Sequence, residues 1–208
     1  MRKHSAPHRI LVAARRLFFE HGFEKVSTDL LAREAEVSKA SIYRHFKNMP
    51  DILRCVTQAE TEKFCGLSAP KIETLEDLRA ALTQYGVELL NFLNAPDTME
   101  FTRLMHEEAR SNPEVGRTFF EAAYGQTQLD FAKMFALAQG ARLLSDESDT
   151  MDIAEDFISL LAGLGMLRVQ FGLVKVPYTD VERHTARAVA TILRMHATPP
   201  SRVPEGER

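Results

Sequence analysis

The sequence lacks any hydrophobic run long enough to cross a lipid bilayer. The longest apolar stretch, Ile158–Leu167, has about ten residues and ends at Arg168, whereas a membrane-spanning helix needs about 20. The first ten residues are basic but contain no apolar segment of the kind that marks a secretory signal. We therefore expect a cytoplasmic protein that does not insert into membranes.

Cysteine is also scarce, which argues against a disulfide-based scaffold. The chain has two cysteines, Cys55 and Cys65, and both fall in one predicted helix. Ten helical residues turn the two side chains away from each other. We expect two buried or half-buried thiols in a reducing compartment, with a redox-sensing role as the alternative.

Sequence motifs of catalysis and metal binding are missing as well. The chain contains no His-Glu-x-x-His, no Cys-x-x-Cys and no Gly-rich phosphate loop after a strand, and its seven histidines are scattered. We therefore predict no catalytic residues, no bound metal and no cofactor, and we do not expect an enzyme.

Charge is distributed unevenly along the chain. Residues 1–58 carry 11 Lys and Arg against 6 Asp and Glu, a net charge of +5, whereas residues 59–208 carry 15 against 23, a net charge of −8. A basic N-terminal part on an acidic body indicates that a polyanion binds the N-terminal part.

Helical periodicity runs through the whole sequence, and no segment alternates as a strand does. We predict an all-α protein of about nine helices, with an N-terminal three-helix helix-turn-helix domain joined to a larger C-terminal helical bundle. The first domain spans residues 1–53, with a connecting helix to about residue 65. The second spans residues 66–200 and includes a single long helix over 150–173. Residues 201–208 form a proline-rich polar tail that we expect to be disordered.

The helix-turn-helix prediction depends on residues 27–47. Ser27 and Ser38 are suited to cap two short helices, and the turn between these helices is Glu36-Val37-Ser38. Ile42 and Phe46 are four residues apart, so they share one face and should be buried. The opposite face of the second helix carries donors, short side chains and cations, which is what a helix in the major groove of DNA needs.

These residues belong to a longer ordered pattern. Its parts are Ala13-Ala14-x-x-Leu17-Phe18-x-x-x-Gly22-Phe23, Val26-Ser27-x-x-x-Leu31-Ala32, Val37-Ser38-Lys39-Ala40-Ser41-Ile42-Tyr43-x-His45-Phe46-Lys47-Asn48 and Asp51-Ile52-Leu53. Over the first 53 residues this pattern resembles the tetracycline-repressor (TetR/AcrR) family of transcriptional regulators. Residues 101–125, FTRLMHEEARSNPEVGRTFFEAAYG, are similar to one common C-terminal subtype. The resemblance implies a three-helix DNA-binding domain attached to a ligand-binding, dimer-forming body.

The resemblance also implies which residues contact DNA. Residues at the start of the second helix would approach base edges, and later ones would hold phosphates or pack on a thymine methyl group. The residues that we predict to bind DNA are Thr28, Ser38, Lys39, Ala40, Ser41, Tyr43, His45 and Lys47. The alternative is an exposed basic helix pair with no role in nucleic-acid binding.

Glu36 departs from the family pattern, which usually has glycine at this turn position. If the position needs a left-handed backbone, a residue other than glycine costs about 1 kcal/mol. Met49 stands where a lysine often neutralises a phosphate, so one phosphate contact should be missing.

The body is rich in aromatic residues and methionine, which suggests an apolar ligand pocket between helices. The residues that we predict to line it are Phe92, Phe101, Met105, Phe120, Tyr124 and Phe131. The alternative is that these side chains simply fill a helical core.

Small residues in the last two predicted helices suggest close approach between helices. In proteins that resemble this one, two such helices usually pair with their symmetry mates. We predict a dimer interface that includes Ser159, Gly163, Met166, Ala188 and Ile192. Tight packing within one subunit is the alternative.

The sequence thus favours a sequence-specific DNA-binding transcriptional regulator. Its expected partners are a double-stranded palindromic operator, a second copy of the chain, and a small apolar or amphipathic effector that releases the repressor from DNA. The alternative is a helical small-molecule-binding or enzymatic bundle whose N-terminal module docks a protein.

Overall fold

The computed structural model describes residues 5–61 and 71–198 of the 208-residue chain. These residues are largely helical, and the β-structure among them is one isolated antiparallel bridge between Leu144 and Ala197. The prediction of an all-α fold is confirmed. The helices in chain order are α1 (Ala6–His21), α2 (Thr28–Glu34), α3 (Lys39–His45), α4 (Met49–Thr61), α5 (Leu75–Asn94), α6 (Pro96–Ser111), α7 (Pro113–Phe120), a π-helical turn (Glu121–Gly125), α8 (Gln126–Gly140), α9 (Thr150–Ala162), α10 (Gly165–Gln170) and α11 (Val181–His196).

Three features predicted from the sequence lie outside the described residues. These are Cys65, the end of the connecting helix near residue 65, and the tail at 201–208. In the part of the chain that is described, no helix is both long enough and apolar enough to span a membrane.

The chain divides into two compact units. The first consists of Met1–Gly66 with Phe92–Thr127, and the second of Leu67–Asn91 with Gln128–Arg208. The sequence predicts residues 92–127 as part of the ligand-binding domain, whereas the structure groups them with the helix-turn-helix. Helices α6 and α7 therefore belong to the same unit as α1 to α4.

The first unit is built around the apolar face of α1. Ile10, Ala14, Leu17 and Phe18 recur at the spacing of one helix face and are almost completely buried. They share one core with buried residues of α2, α3 and α4 and with buried residues of α6 and α7, among them Phe101. Burying one large aliphatic or aromatic side chain contributes about 1.5–3 kcal/mol, so this face is a main source of stability in the unit.

Polar contacts add to the apolar packing between α1 and α6. The Glu108 carboxylate on α6 accepts a hydrogen bond of 3.1 Å from the backbone N–H of Phe23, which follows α1. Arg15 of α1 donates to Glu60 on α4 (2.8 Å) and to Asp97 on α6 (3.0 Å). The Arg15 guanidinium also lies 4.7 Å from the ring centroid of Phe19. These contacts fix the orientation of α1 relative to α4 and α6.

The turn between α2 and α3 contains a left-handed residue. Glu36 has φ of 52°, the conformation that favours glycine. Its backbone carbonyl accepts a hydrogen bond of 3.2 Å from Arg9, while its side chain is 86% exposed. Position 36 therefore does need a left-handed backbone, so Glu36 holds a strained conformation. Its carboxylate forms a surface ion pair of 3.8 Å with the Arg9 guanidinium.

The second unit is held by aromatic packing and by a close approach of helices. The ring of Phe131 on α8 lies 4.6 Å from that of Tyr85 on α5 and 4.9 Å from that of Phe157 on α9. Gly86 of α5 has no room for a side chain, because a Cβ atom there would meet the Thr185 side chain at 2.6 Å. The absence of a side chain lets α5 pack directly against α11.

The single helix predicted over 150–173 is wrong. Helix α9 ends at Ala162, and Gly163 has φ of 46°, which no α-helix accommodates. The last carbonyls of α9, which have no partner within the helix, accept hydrogen bonds from side chains further along the chain. Tyr178 donates to the carbonyl of Ala162 (3.1 Å), and His184 Nε2 donates to that of Leu161 (2.7 Å). The glycine is therefore a helix terminator and not a point of close packing between two long helices.

Replacing Glu36 by glycine should stabilise the protein. Glycine adopts positive φ without the steric penalty of a Cβ atom, so we expect the free energy of unfolding of Glu36→Gly to rise by about 1 kcal/mol. Urea unfolding followed by circular dichroism measures this change. Glu36→Ala is the matched control because it removes the carboxylate but keeps the Cβ atom, and we expect it to change stability by less than about 0.5 kcal/mol. Equal stabilisation by both variants would assign the effect to charge instead of backbone strain.

Candidate nucleic-acid interface

Helices α2 and α3 begin at serine caps. The Ser27 hydroxyl accepts from the backbone N–H of Leu30 (3.2 Å), and the Ser38 hydroxyl accepts from that of Ser41 (3.1 Å). Each bond satisfies one of the donors that a helix start leaves without a partner. The caps predicted from the sequence are present, and they set where each of these seven-residue helices starts.

Helix α3 has one buried face and one exposed face. Ile42 is 1% exposed and Phe46, just after the helix, is 6% exposed, so both side chains anchor α3 in the core of the first unit. The opposite face is polar or cationic. Its exposed or half-buried residues are Ser38, Lys39, Ala40, Ser41, Tyr43, Arg44, His45 and Lys47.

Two side-chain contacts join this face to the start of α2. The hydroxyls of Thr28 and Tyr43 lie 3.3 Å apart, and either can donate to the other. Lys39 Nζ lies 2.5 Å from Asp29 Oδ1. The hydrogen bond to Asp29 raises the pKa of the Lys39 ammonium, so this group stays charged over the physiological range. The contacts arrange Thr28, Tyr43 and Lys39 side by side on one surface.

A reciprocal cap fixes the junction between α3 and α4. The Asn48 side chain accepts from the backbone N–H of Asp51 (2.9 Å), and the Asp51 carboxylate accepts from the backbone N–H of Lys47 (2.9 Å). Asp51 also binds the guanidinium of Arg54 at 2.7 Å. The hydrogen bond from Lys47 and the pairing with Arg54 hold the pKa of the Asp51 carboxyl below its usual range. Lys47 is therefore held at a defined place beside the exposed face of α3.

Arg44 belongs to the same face, although sequence reasoning did not place it among the DNA-binding residues. It is exposed, and within residues 5–61 and 71–198 its guanidinium has no ion pair. The sequence did contain a signal for it. Ile42 and Phe46 are the buried positions of this helix, so a cation between Tyr43 and His45 should be exposed beside them. With Lys39 and Lys47 it gives this face three cations.

Family models match both parts of the chain. Residues 10–56 match the model for bacterial regulatory proteins of the tetR family, and residues 80–198 match the model for the AefR-like transcriptional repressor C-terminal domain. The chain belongs to the TetR family of transcriptional regulators. TetR-family regulators bind DNA operators and small-molecule effectors and usually act as dimers. The resemblance inferred from residues 13–53 is confirmed.

Solved structures of the TetR family share the fold. The Flavonoid-responsive Regulator FrrA aligns with a TM-score of 0.76 and 26% identity, covering 94% of this chain and 98% of that one. A TetR transcriptional regulator from Agrobacterium tumefaciens aligns with a TM-score of 0.74 and 21% identity, covering 94% and 96% of the two chains. A comparison with curated protein sequences finds no significant match.

The residues predicted to line a ligand pocket are divided between the two units of this TetR-family chain. Phe101 and Met105 are buried in the core around α1, and Tyr124 packs partly against it. Phe120 is 59% exposed and stacks on Tyr124. Phe92 is half-buried and also falls in the first unit, whereas Phe131 lies in the aromatic core of the second. Phe101, Met105 and Phe131 therefore have packing roles, and a pocket lined by the whole set stays a prediction.

The residues predicted to form the dimer interface also differ in exposure. Ser159 and Gly163 are exposed and Met166 is half-buried, whereas Ala188 and Ile192 are 2% and 1% exposed within the second unit. The exposed members lie near the end of α9 and in α10. Among the described residues, no group of three or more His, Cys, Asp or Glu is arranged to hold a metal ion.

The stability that Asp51 contributes should depend on pH in a predictable direction. Its pKa is lower in the folded chain than in the unfolded one, so its contribution is fully present above the unfolded value of about 3.9 and is lost as pH falls through the folded value. We expect the difference in free energy of unfolding between wild type and Asp51→Asn to be constant above about pH 5 and to shrink below about pH 4. Urea unfolding between pH 7 and pH 3 measures it.

A control for this titration is Asp152→Asn. Asp152 is an exposed carboxylate in the first turn of α9 with no hydrogen bond among the described residues. The change in free energy of unfolding that Asp152→Asn causes is the reference for removing an exposed carboxylate that caps no backbone N–H. If the difference in free energy of unfolding between wild type and Asp51→Asn does not change with pH, the cap does not depend on the ionised carboxylate.

Proposed function

We propose that this chain is a ligand-released repressor that binds a palindromic operator as a homodimer. The observation that carries the proposal is the exposed face of α3, which presents three cations and several hydrogen-bond donors on a helix anchored from behind. Such a helix fits the major groove, where base edges offer acceptors and donors. Membership of the TetR family supports the same assignment.

Within this proposal the residues of the exposed face have different tasks. Lys39 and Ser41, at the start of α3, approach base edges together with Ala40. Tyr43, Arg44, His45 and Lys47 lie further along and hold backbone phosphates. Thr28 and the capping residue Ser38 supply hydroxyls near the starts of the two helices, where backbone N–H groups also favour a phosphate. Asp29 orients the Lys39 ammonium before DNA arrives.

A second copy of the chain would cover an exposed apolar segment of the second unit. Phe171 and Leu173 are 73% and 72% exposed, and Leu164 and Leu167 are 58% and 46% exposed. Large apolar side chains concentrated in one short segment are typical of a protein interface. The segment begins next to Gly163, so it extends the interface predicted with Ser159, Gly163 and Met166. A two-fold dimer would hold two copies of α3 about 34–36 Å apart, one turn of B-DNA.

The effector proposed here is a small apolar or amphipathic molecule. FrrA, with which the chain shares its fold over nearly its whole length, is named as flavonoid-responsive. An aromatic effector would suit the aromatic residues of the body, among them Phe120 and Tyr124. It would release DNA by binding more tightly to the conformation that does not fit the operator, which shifts the population away from the bound state.

Replacing Lys39 and Lys47 should separate base contacts from phosphate contacts. Lys47→Ala should weaken binding to all DNA sequences alike and reduce the slope of log affinity against log salt concentration by about one, because one phosphate contact is lost. Lys39→Ala should lower affinity for the operator about tenfold and affinity for random DNA much less, because base contacts carry sequence discrimination. Gel shifts with the protein's own promoter region and a random competitor, over a salt series, measure both effects.

Lys175→Ala is the control for these two variants. Lys175 is an exposed cation of the second unit with no ion pair among the described residues, and its loss should leave DNA binding unchanged. If Lys39→Ala and Lys47→Ala bind DNA as wild type does, α3 is not the DNA-binding helix.

A further inference from the structure

A cationic cavity lies in the second unit, whereas the residues assigned to DNA belong to the first. It has a volume of about 450 Å³ and is bounded by α10, residues 177–180 and the first two turns of α11. A cavity of this size is within the range that holds small organic ligands. Its charged side chains come from three arginines, Arg168, Arg183 and Arg187, and one carboxylate, Asp180.

The three arginines have no side-chain partner in the part of the chain that the structure describes. Among residues 5–61 and 71–198, none of their guanidinium groups makes a hydrogen bond or an ion pair. Other exposed arginines of the chain do pair, such as Arg103 with Glu100 and Arg117 with Glu114. Three unpaired guanidiniums around one cavity repel each other, so an anion in the cavity would be stabilised by all three.

The nearby carboxylate does not neutralise the arginines. Asp180 caps α11, and its Oδ1 accepts from the backbone N–H of Arg183 at 3.1 Å. Three arginines and one aspartate leave two positive charges at the cavity, although residues 59–208 carry a net charge of −8. The local charge is therefore opposite in sign to that of the rest of the body.

The wall of the cavity is held in place by buried contacts. Tyr178 is 4% exposed and donates to the carbonyl of Ala162, and His184 donates to that of Leu161. Gly165 packs directly on the Tyr178 ring, where a Cβ atom would collide. Because helix α9 ends before Gly163, α10 is a separate short helix that lines the cavity together with the start of α11. These contacts fix the backbone beside the cavity, whereas the side chains of all three arginines are exposed.

We propose that this cavity binds a small organic anion that carries at least two negative charges on phosphate or carboxylate groups. Arginine presents its donors in a planar fork that matches both groups, and a bidentate contact is stronger than a contact between neutral partners. The net charge of two at the cavity matches an anion that carries two negative charges. The site is distinct from the DNA-binding face, and its occupancy does not require the protein to be a repressor. It shares α10 with the apolar segment proposed as the subunit interface, so in the dimer the anion would bind beside the partner subunit.

Isothermal titration of the full-length chain with pyrophosphate and, separately, with citrate tests the proposal. We expect one anion to bind per chain. The probe with the higher affinity shows whether the site prefers phosphate or carboxylate groups. The double variant Arg183→Gln/Arg187→Gln should lose at least about tenfold in affinity, since each charge-assisted contact alone accounts for about that factor. Arg194→Gln, which changes an exposed arginine of α11 that does not line the cavity, should bind as wild type does.

Three results would overturn the proposal. One is the absence of binding by either probe at millimolar concentration. Another is equal affinity in wild type and the double variant, which would place the anion elsewhere, for example on the basic N-terminal part. The third is a double variant that changes the monomer–dimer equilibrium in sedimentation while its anion affinity is that of wild type, which would assign the arginines to subunit contact. Circular dichroism and the thermal midpoint establish that each variant is folded.

Discussion

The burial of one face of α1 is the constraint on which the DNA-binding surface depends. Helices α2 and α3 have seven residues each, and helices so short are unstable on their own in water. They persist because Leu31, Ile42 and Phe46 pack into the core that Leu17 and Phe18 begin. The same core includes residues of α6 and α7, so the exposed face of α3 is supported by more than the first three helices.

This arrangement connects the DNA-binding surface to α6. Phe19 of α1 stacks on Phe101 of α6 at 5.2 Å, and Glu108 of α6 binds the backbone after α1. A shift of α6 would therefore change packing and hydrogen bonding at α1 directly. Allosteric coupling requires such a packed element with differential contacts in two states, and α6 is placed to be one. In the proposed ligand-released repressor, these contacts could transmit an effector-induced shift of α6 to α1.

The sequence predicts the helix-turn-helix well because its signals are local. Serine caps at Ser27 and Ser38 and buried positions four residues apart follow from neighbouring residues, and the structure has all of them. The left-handed residue Glu36 stands where the family pattern usually has glycine. The contact between Asp29 and Lys39 could not be predicted, because it depends on the crossing angle of two helices. The same holds for the helix end at Gly163, whose carbonyl partners Tyr178 and His184 come from a later segment. The grouping of α6 with the N-terminal unit is likewise set by tertiary packing around α1.

Chemical interference with DNA binding tests the central claim, that α3 from each of two subunits enters the major groove. Methylation of guanine N7 marks the major groove, and methylation of adenine N3 marks the minor groove. The account predicts that N7 methylation of the operator blocks binding in two clusters about one helical turn apart, about 10 base pairs, and that N3 methylation within those clusters does not. Interference confined to adenine N3, or a single N7 cluster, would contradict it.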